Sequence, residues 1–281
     1  MIIEEVGRRE AIAVVEGVIG GEQIGRAEGV RFLGLWVDEG LGWRGQIERV
    51  GSKLRQLLGV LGRARSVLGG QSLLSLYNGL VLPHLQYCLM VWGDFEGCRN
   101  GTRGDALLRC QKQFARMIGG RVGGCHSSPL FAQHGMLRVG DLYRQQLRVH
   151  GWRFWNRQLP ENQAAMLSRT GDVHGHATRF AGSGLYLSTR DHRSVGYRVP
   201  TEWAVLSAAL RGVGSLAAFK RGSRGGFLGE YGAFVCREVG CRVCGGCVVG
   251  TECVGGVLDW SETVGGFASG SMVPCDCVSY M

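Results

Sequence analysis

The sequence predicts a mainly α-helical protein that opens with a short N-terminal β-hairpin, α+β overall, and ends in an irregular tail rich in Cys and Gly. Three observations predict this. Short β-branched and aromatic runs give way after Trp43 to apolar residues at three- and four-residue steps. Residues 44–225 then carry 26 Lys or Arg against 9 acidic residues, many of them set between the apolar positions as on amphipathic helices. Seven of the 11 cysteines fall between Cys236 and Cys277, where periodicity fades.

Residues 11–19 (AIAVVEGVI) and 30–37 (VRFLGLWV) have strand composition, and a Gly-rich turn between them predicts a hairpin. Ile47, Val50, Leu54, Leu57, Leu58 and Leu61 then form one apolar stripe, with Arg44, Arg49, Arg55 and Arg63 mostly between them. A second helix is expected from about Gln71 to Val91, apolar nearly all round and so buried, with a kink at Pro83. A third covers Asp105 to Ile118, with Leu108, Phe114, Ala115 and Ile118 inward and Arg109, Lys112 and Arg116 outward. Ser128-Pro129 reads as a cap and first helical residue, and Gly135 as the end of that short helix. Asp141 is placed to cap a helix running to Trp155, Pro200 to open one carrying Trp203, Leu206 and Leu210, and Ser215 to cap the last, with Leu216, Phe219 and Leu228.

At 281 residues with 45% hydrophobic and 20% charged side chains, the chain is long enough for a real core, and wholesale disorder is excluded. The net charge of +9 is unevenly placed: residues 1–43 and 226–281 are each net −4, and residues 44–225 are net +17. Between Glu48 and Asp94 there is no acidic residue. Such a basic body predicts a polyanionic partner. The 29 Arg against 3 Lys, and the 48 Gly, are what codons rich in G and C would give, and carry no chemistry by themselves. The N-terminal Met-Ile-Ile-Glu-Glu lacks a basic region followed by an apolar one, so no signal peptide is expected. The most apolar stretch, 79–92, is broken by Pro83, His84 and Gln86, and no membrane span is expected. The odd cysteine count fits reduced thiols inside the cell, in nucleus or cytoplasm.

Gly40-Leu-Gly42-Trp-Arg-Gly45 matches Gly-x-Gly-x-x-Gly between a predicted strand and a predicted helix. A dinucleotide site also needs an acidic residue about 20 positions on and a second parallel strand. The acid-free stretch and a further helix follow instead, so no cofactor is expected. In the tail, Cys241, Cys244, Cys247 and Cys253 are the candidate zinc ligands, since Cys-x2-Cys is the spacing of a zinc-binding turn. No second such turn lies at the distance a zinc site needs and no His follows His192 to complete the set, so zinc is not expected. His174-Gly-His176 has no third ligand nearby, and Cys125-His126 adjacency does not make a nucleophile and base. Trp43, Trp92, Trp152, Trp155 and Trp203 could stack on bases, although such spacings are those of core residues.

One ordered set of landmarks does point to a family. Phe32-Leu33-Gly34-Leu35-x-Val37-Asp38-Glu39-x-Leu41-x-Trp43 is followed by Ser75-Leu-Tyr77-x-x-Leu80-Val81-x-Pro83-His84-Leu85-Gln86-Tyr87 and Trp92-Gly93. Next come Arg109-Cys-Gln111-Lys112-Gln-Phe114-Ala115-Arg116-Met-Ile118-x-Gly120, Ser128-Pro-Leu130-Phe131 with Gly135-Met-Leu137, and His174-x-His176-x-Thr178-Arg179. Tyr197-Arg-Val-Pro200-x-Glu-Trp203 and Ser215-Leu-x-x-Phe219-Lys220 close the set. In this order, over about Val30 to Leu228, they resemble the region after the polymerase palm in jockey-like non-LTR retrotransposon reverse transcriptases.

Residues 230–281 lie outside the resemblance and read from composition as a Cys/Gly-rich tail expected to be disordered. The resemblance implies two regions: residues 1–40 would be the end of the palm, with Phe32, Leu33 and Gly34 matching the hairpin that grips the primer end, and residues 41–229 the helical thumb and the family's downstream region. It further implies RNA and DNA, as template–primer, for a partner. On that reading Lys53, Arg55, Arg63, Lys112 and Arg116 are the candidate phosphate contacts. The divalent metals of a complete polymerase need a paired-Asp turn, and no Asp-Asp pair occurs anywhere in the chain. No catalytic residue is therefore expected here, and the chain alone is expected to be inactive. Two alternatives stand beside this: an incomplete piece of an active reverse transcriptase, or a domesticated zinc-linked interaction protein. The sequence leaves the oligomeric state open.

Overall fold

The computed structural model describes residues 17–25, 27–94, 101–120, 126–173, 184–187, 192 and 194–232. The expected strand residues 11–16, Cys125, the His174 and His176 pair, and the tail with Cys241, Cys244, Cys247 and Cys253 lie outside the described residues. The architecture is mainly α with short antiparallel strands at the N-terminal end, as expected.

The strands pair differently from the expectation. Strand β1 (Gly17–Ile19) pairs with β2 (Glu22–Ile24) across Gly20 and Gly21. Residues 30–37, expected as one strand, instead fold back on themselves as β3 (Gly29–Phe32) and β4 (Leu35–Asp38). The reversal falls at Leu33 and Gly34, with φ of 45° and 85°. Two consecutive positive φ values define the tight turn whose twist suits a two-residue hairpin. Leu35 and Val37 face the core, whereas Trp36 and Asp38 alternate to the other face.

Helix α1 (Arg44–Ala64) follows the expected stripe, burying Ile47, Val50, Leu54, Leu57 and Leu61. The expected 71–91 helix is broken into pieces. Helix α2 (Gly70–Leu76) runs into a π turn over Tyr77–Val81, then α3 (Leu82–Gln86), and after a reversal at Cys88 (φ 48°) into α4 (Leu89–Trp92). The wide turn lies just before Pro83, whose ring would otherwise meet the carbonyl four residues back. Nor is this segment buried all round. Tyr77, Val81, Leu85, Leu89 and Trp92 are inside, and Leu80, Tyr87 and Val91 are exposed.

Helix α5 (Gly101–Ile118) packs along α1, starting four residues before the expected Asp105. Leu107, Phe114, Ala115 and Ile118 face inward, Leu108 being only partly covered. Gln111 was not expected in the core, yet it is fully buried. Its amide donates to the Tyr77 hydroxyl (3.0 Å) and the Leu137 carbonyl (3.1 Å) and accepts from the Val139 N–H (2.7 Å). A buried amide so satisfied fixes three segments against one another.

Helix α6 (Ser128–Gln133) starts at Ser128 itself, whose hydroxyl does not cap but accepts from Arg138 (2.7 Å). Gly135, at φ 60°, ends it as expected. Helix α7 (Val139–Trp155) begins two residues before Asp141, so Asp141 lies inside its first turn, where a carboxylate favours the helix dipole without capping. Short helices α8 (Glu161–Ala164) and α9 (Thr170–Val173) follow. Helix α10 (Val195–Ala204) starts five residues before Pro200, which sits within it; burial of the ring offsets the missing backbone donor. Helices α11 (Ala208–Arg211) and α12 (Leu216–Gly232) complete the body, and Ser215 caps α12 through the Ala218 N–H (3.2 Å), as expected.

Helices α7, α10 and α12 enclose an aromatic stack of Trp152, Trp155, Trp203 and Phe219, with ring centres 5.8 to 6.3 Å apart. Of the tryptophans considered as base-stacking candidates, Trp92, Trp152 and Trp203 are thus core residues, and α12 carries the buried Tyr231 beyond residue 229. Among the described residues no helix is long and apolar enough to cross a membrane.

Candidate nucleic-acid interface

The β3–β4 hairpin meets the start of α1 through Asp38. Its carboxylate accepts the backbone N–H groups of Gly42 (2.9 Å) and Trp43 (2.8 Å), while the Trp36 N–H donates to the Gln46 side chain (3.0 Å). Two N–H groups of the Gly40–Gly45 loop are therefore taken by a side chain of the chain itself, and a pyrophosphate at this motif would compete with Asp38 for them. Gly45 has a different use: a Cβ there would stand 2.2 Å from the Trp36 ring, and one at Gly29 would stand 2.8 Å away. Only glycine lets the indole lie this close to both elements.

Beside the indole opens a shallow recess of about 510 Å³, lined by Trp36, Gly45, Glu48, Arg49, Ser52, Lys53 and Gln56. The Arg49 guanidinium lies 4.5 Å from the Trp36 ring centre. That geometry holds a cation at the surface without neutralising it. Glu48 is tied to Arg44 at 2.9 Å, which raises the Arg44 pKa through the hydrogen bond and the carboxylate charge. Among the described residues no carboxylate is paired with Arg49 or Lys53. The recess is a cation-lined surface with hydroxyl and amide donors at its rim, chemistry suited to phosphate oxygens.

Phe32 and Leu33 project from the hairpin tip, 61% and 75% exposed, and Gly34 completes the turn. Of the five candidate cations, Lys53 lines the recess and Arg63 continues its flank. Arg49, Lys53, Gln56 and Arg63 recur at helical spacing, making an exposed stripe about 21 Å long at 1.5 Å per residue. Arg55 stands on the other flank, hydrogen-bonded to Ser52 (3.0 Å) and near the α1–α5 seam beside Cys110. Burial is the main cause raising the Cys110 thiol pKa, against the two nearby arginines, Arg55 and Arg109.

Lys112 and Arg116 belong to a separate surface. Gly51 and Gly62 of α1 approach Leu107 and Met117 of α5, which places Lys112 and Arg116 on the face of α5 turned away from α1. Both are half-buried and engaged within the chain. The structure thus sets Lys53 beside the hairpin's Trp36 in one recess, with Arg63 further along the same stripe of α1, holds the tip residues Leu33 and Gly34 against Tyr87, and leaves Arg55, Lys112 and Arg116 outside the recess.

Many other arginines of the basic body serve packing. Arg144 and Arg148 both bond Glu202 at 2.9 Å, and Arg148 also lies 4.3 Å from the Phe227 ring centre. Arg138 covers the Tyr231 ring, whose hydroxyl donates to Asp141. Arg169 covers Trp155 and donates to its carbonyl (2.9 Å), and Arg198 pairs with Asp94. Sequence reasoning passed over Arg49 and Trp36 as site residues. The available signal was the i, i+4 spacing of Gly45, Arg49 and Lys53 beside an outward-facing strand tryptophan.

Among the described residues no group of three or more His, Cys, Asp or Glu side chains is placed to hold a metal ion. No family model, no curated protein and no solved structure matches the chain.

Proposed function

We propose that this chain is the post-palm, thumb and downstream region of a jockey-like non-LTR retrotransposon reverse transcriptase, and that it holds RNA–DNA template–primer duplex. The observation that carries the reading is a juxtaposition. The hairpin whose Phe32-Leu33-Gly34 resembles the primer-gripping element stands against the recess lined by Arg49 and Lys53. One hairpin carries an exposed apolar tip and sets Trp36 in the recess from which the basic stripe runs along α1, an arrangement that suits a duplex end, with sugar and base edges at the tip and phosphates along α1. The chain contributes binding and orientation, and the carboxylate-held metals of polymerisation belong to a palm motif absent from its sequence.

A gel shift with an RNA–DNA hybrid at low salt tests this. Binding is expected, with loss of roughly tenfold or more in affinity in Arg49→Ala/Lys53→Ala, since two phosphate contacts are removed. Absence of binding by the unmodified chain would overturn the reading.

A further inference from the structure

The hairpin tip is not held by its own turn alone. Leu33 adopts φ 45° and Gly34 φ 85°. This turn type favours Asn or Asp before Gly, because a residue with a Cβ in the left-handed region costs about 1–2 kcal/mol. Leu has no side-chain hydrogen bond to offset that cost. The compensation comes from the segment between α3 and α4, 54 residues along the chain: the Tyr87 hydroxyl donates to the Leu33 carbonyl at 2.5 Å. The Tyr87 ring also lies against the turn, its Cε1 3.5 Å from where a Gly34 Cβ would stand. Tyr87 is fixed from behind, because the indole N–H of the fully buried Trp92 donates to its backbone carbonyl at 2.8 Å. Yet the Tyr87 side chain is half exposed and contributes little to the core.

We propose that Tyr87 is the positioning residue of the hairpin tip: it transmits the placement of the helical body, through Trp92, to Leu33, and so sets where Phe32 and Leu33 meet a bound strand end. The base of the hairpin is fixed by α1, through Asp38 and the Trp36–Gln46 bond, and the placement of its tip is then a property of the α3–α4 junction. The role in strand-end recognition rests on the duplex-binding reading above; the mechanical coupling does not.

Tyr87→Phe removes one hydroxyl and keeps the ring, and being half exposed it should leave the body folded. Two readouts on the full chain separate the claims. Hydrogen exchange of the β3–β4 amides should quicken about fivefold, the factor for one hydrogen bond of ordinary net strength, with α1 amides unchanged. The ratio of affinities for a recessed-primer hybrid over a blunt hybrid should fall by a similar factor, with affinity for the blunt hybrid kept. Tyr87→Ala, which also loses the ring contact, should do more on both. Unchanged exchange in both variants would overturn the coupling. Quickened exchange with an unchanged affinity ratio would overturn the recognition role. Failure of the unmodified chain to bind any hybrid would instead overturn the duplex reading, with the exchange result still deciding the coupling.

Discussion

Arg49 on α1 and Arg148 on α7 both lie over an aromatic ring, at 4.5 Å from the Trp36 centre and 4.3 Å from the Phe227 centre, yet their surroundings are opposite. Arg148 is 8% exposed and shares Glu202 with Arg144; Arg49 is exposed beside an open recess. Around α7 each cation brought inside meets a carboxylate, a carbonyl or a ring, because a buried guanidinium without partners would be prohibitive. On α1 beyond Glu48 the acid-free sequence supplies no carboxylate, and Arg49 and Lys53 stay exposed. Net charge therefore maps a ligand surface only where counter-charges are missing. The +17 of residues 44–225 contains one region of each kind.

The largest effect that would break this comparison is Glu202→Ala. It leaves Arg148 buried without its carboxylate, and should destabilise the chain by about 3 kcal/mol in urea unfolding. An effect under about 0.5 kcal/mol, the size of an ordinary surface substitution, would mean that the inward arginines are not held by pairing. Next is Gln111→Leu, which orphans the Val139 N–H and the Leu137 carbonyl and should cost about 2 kcal/mol. Gly45→Ala should cost about 1–3 kcal/mol by overpacking against Trp36, and should weaken duplex binding as Arg49 is displaced with the ring. In contrast, Arg49→Ala/Lys53→Ala should change stability by no more than about 0.5 kcal/mol while reducing binding. The smallest effect is a pH dependence. Burial lowers the pKa of His134 and, with Arg153, that of His150, so both resist charging in the folded state. The unfolded chain then binds more protons below about pH 6.5, and stability should fall as pH falls through that value. A melting temperature flat from pH 7 to pH 5 would contradict the burial of both imidazoles.

Much of the body was legible where one physical requirement dominated. The stripe Ile47, Val50, Leu54, Leu57, Leu61 has no use except to bury one face of α1, and it does so. Between Gln71 and Val91 apolar residues recur nearly all round, so periodicity gave no sign of the breaks at Tyr77 and Cys88. Gln111 reads as a surface residue because an amide is buried only when three distant partners converge, which local pattern does not encode. The hairpin at Leu33–Gly34 was hidden for a related reason, since its unusual turn residue is braced by Tyr87 from far along the chain. In the site, Lys53 and Arg63 were legible from charge and helical spacing. Arg49 was not singled out because its role depends on Trp36 packing over two glycines, and Lys112 and Arg116 were grouped with α1 because spacing does not show which face of α5 meets its neighbour.

On the proposed reading the exposed cations of α1, and not the inward ones, face a polyanion. The most direct test is the salt dependence of hybrid binding by the full chain, measured by fluorescence anisotropy. Arg49→Ala/Lys53→Ala should lower the slope of log affinity against log salt by about 2, and Arg169→Gln, on an arginine covering Trp155, should leave it unchanged. Equal slopes for the unmodified chain and the α1 double variant would contradict the account.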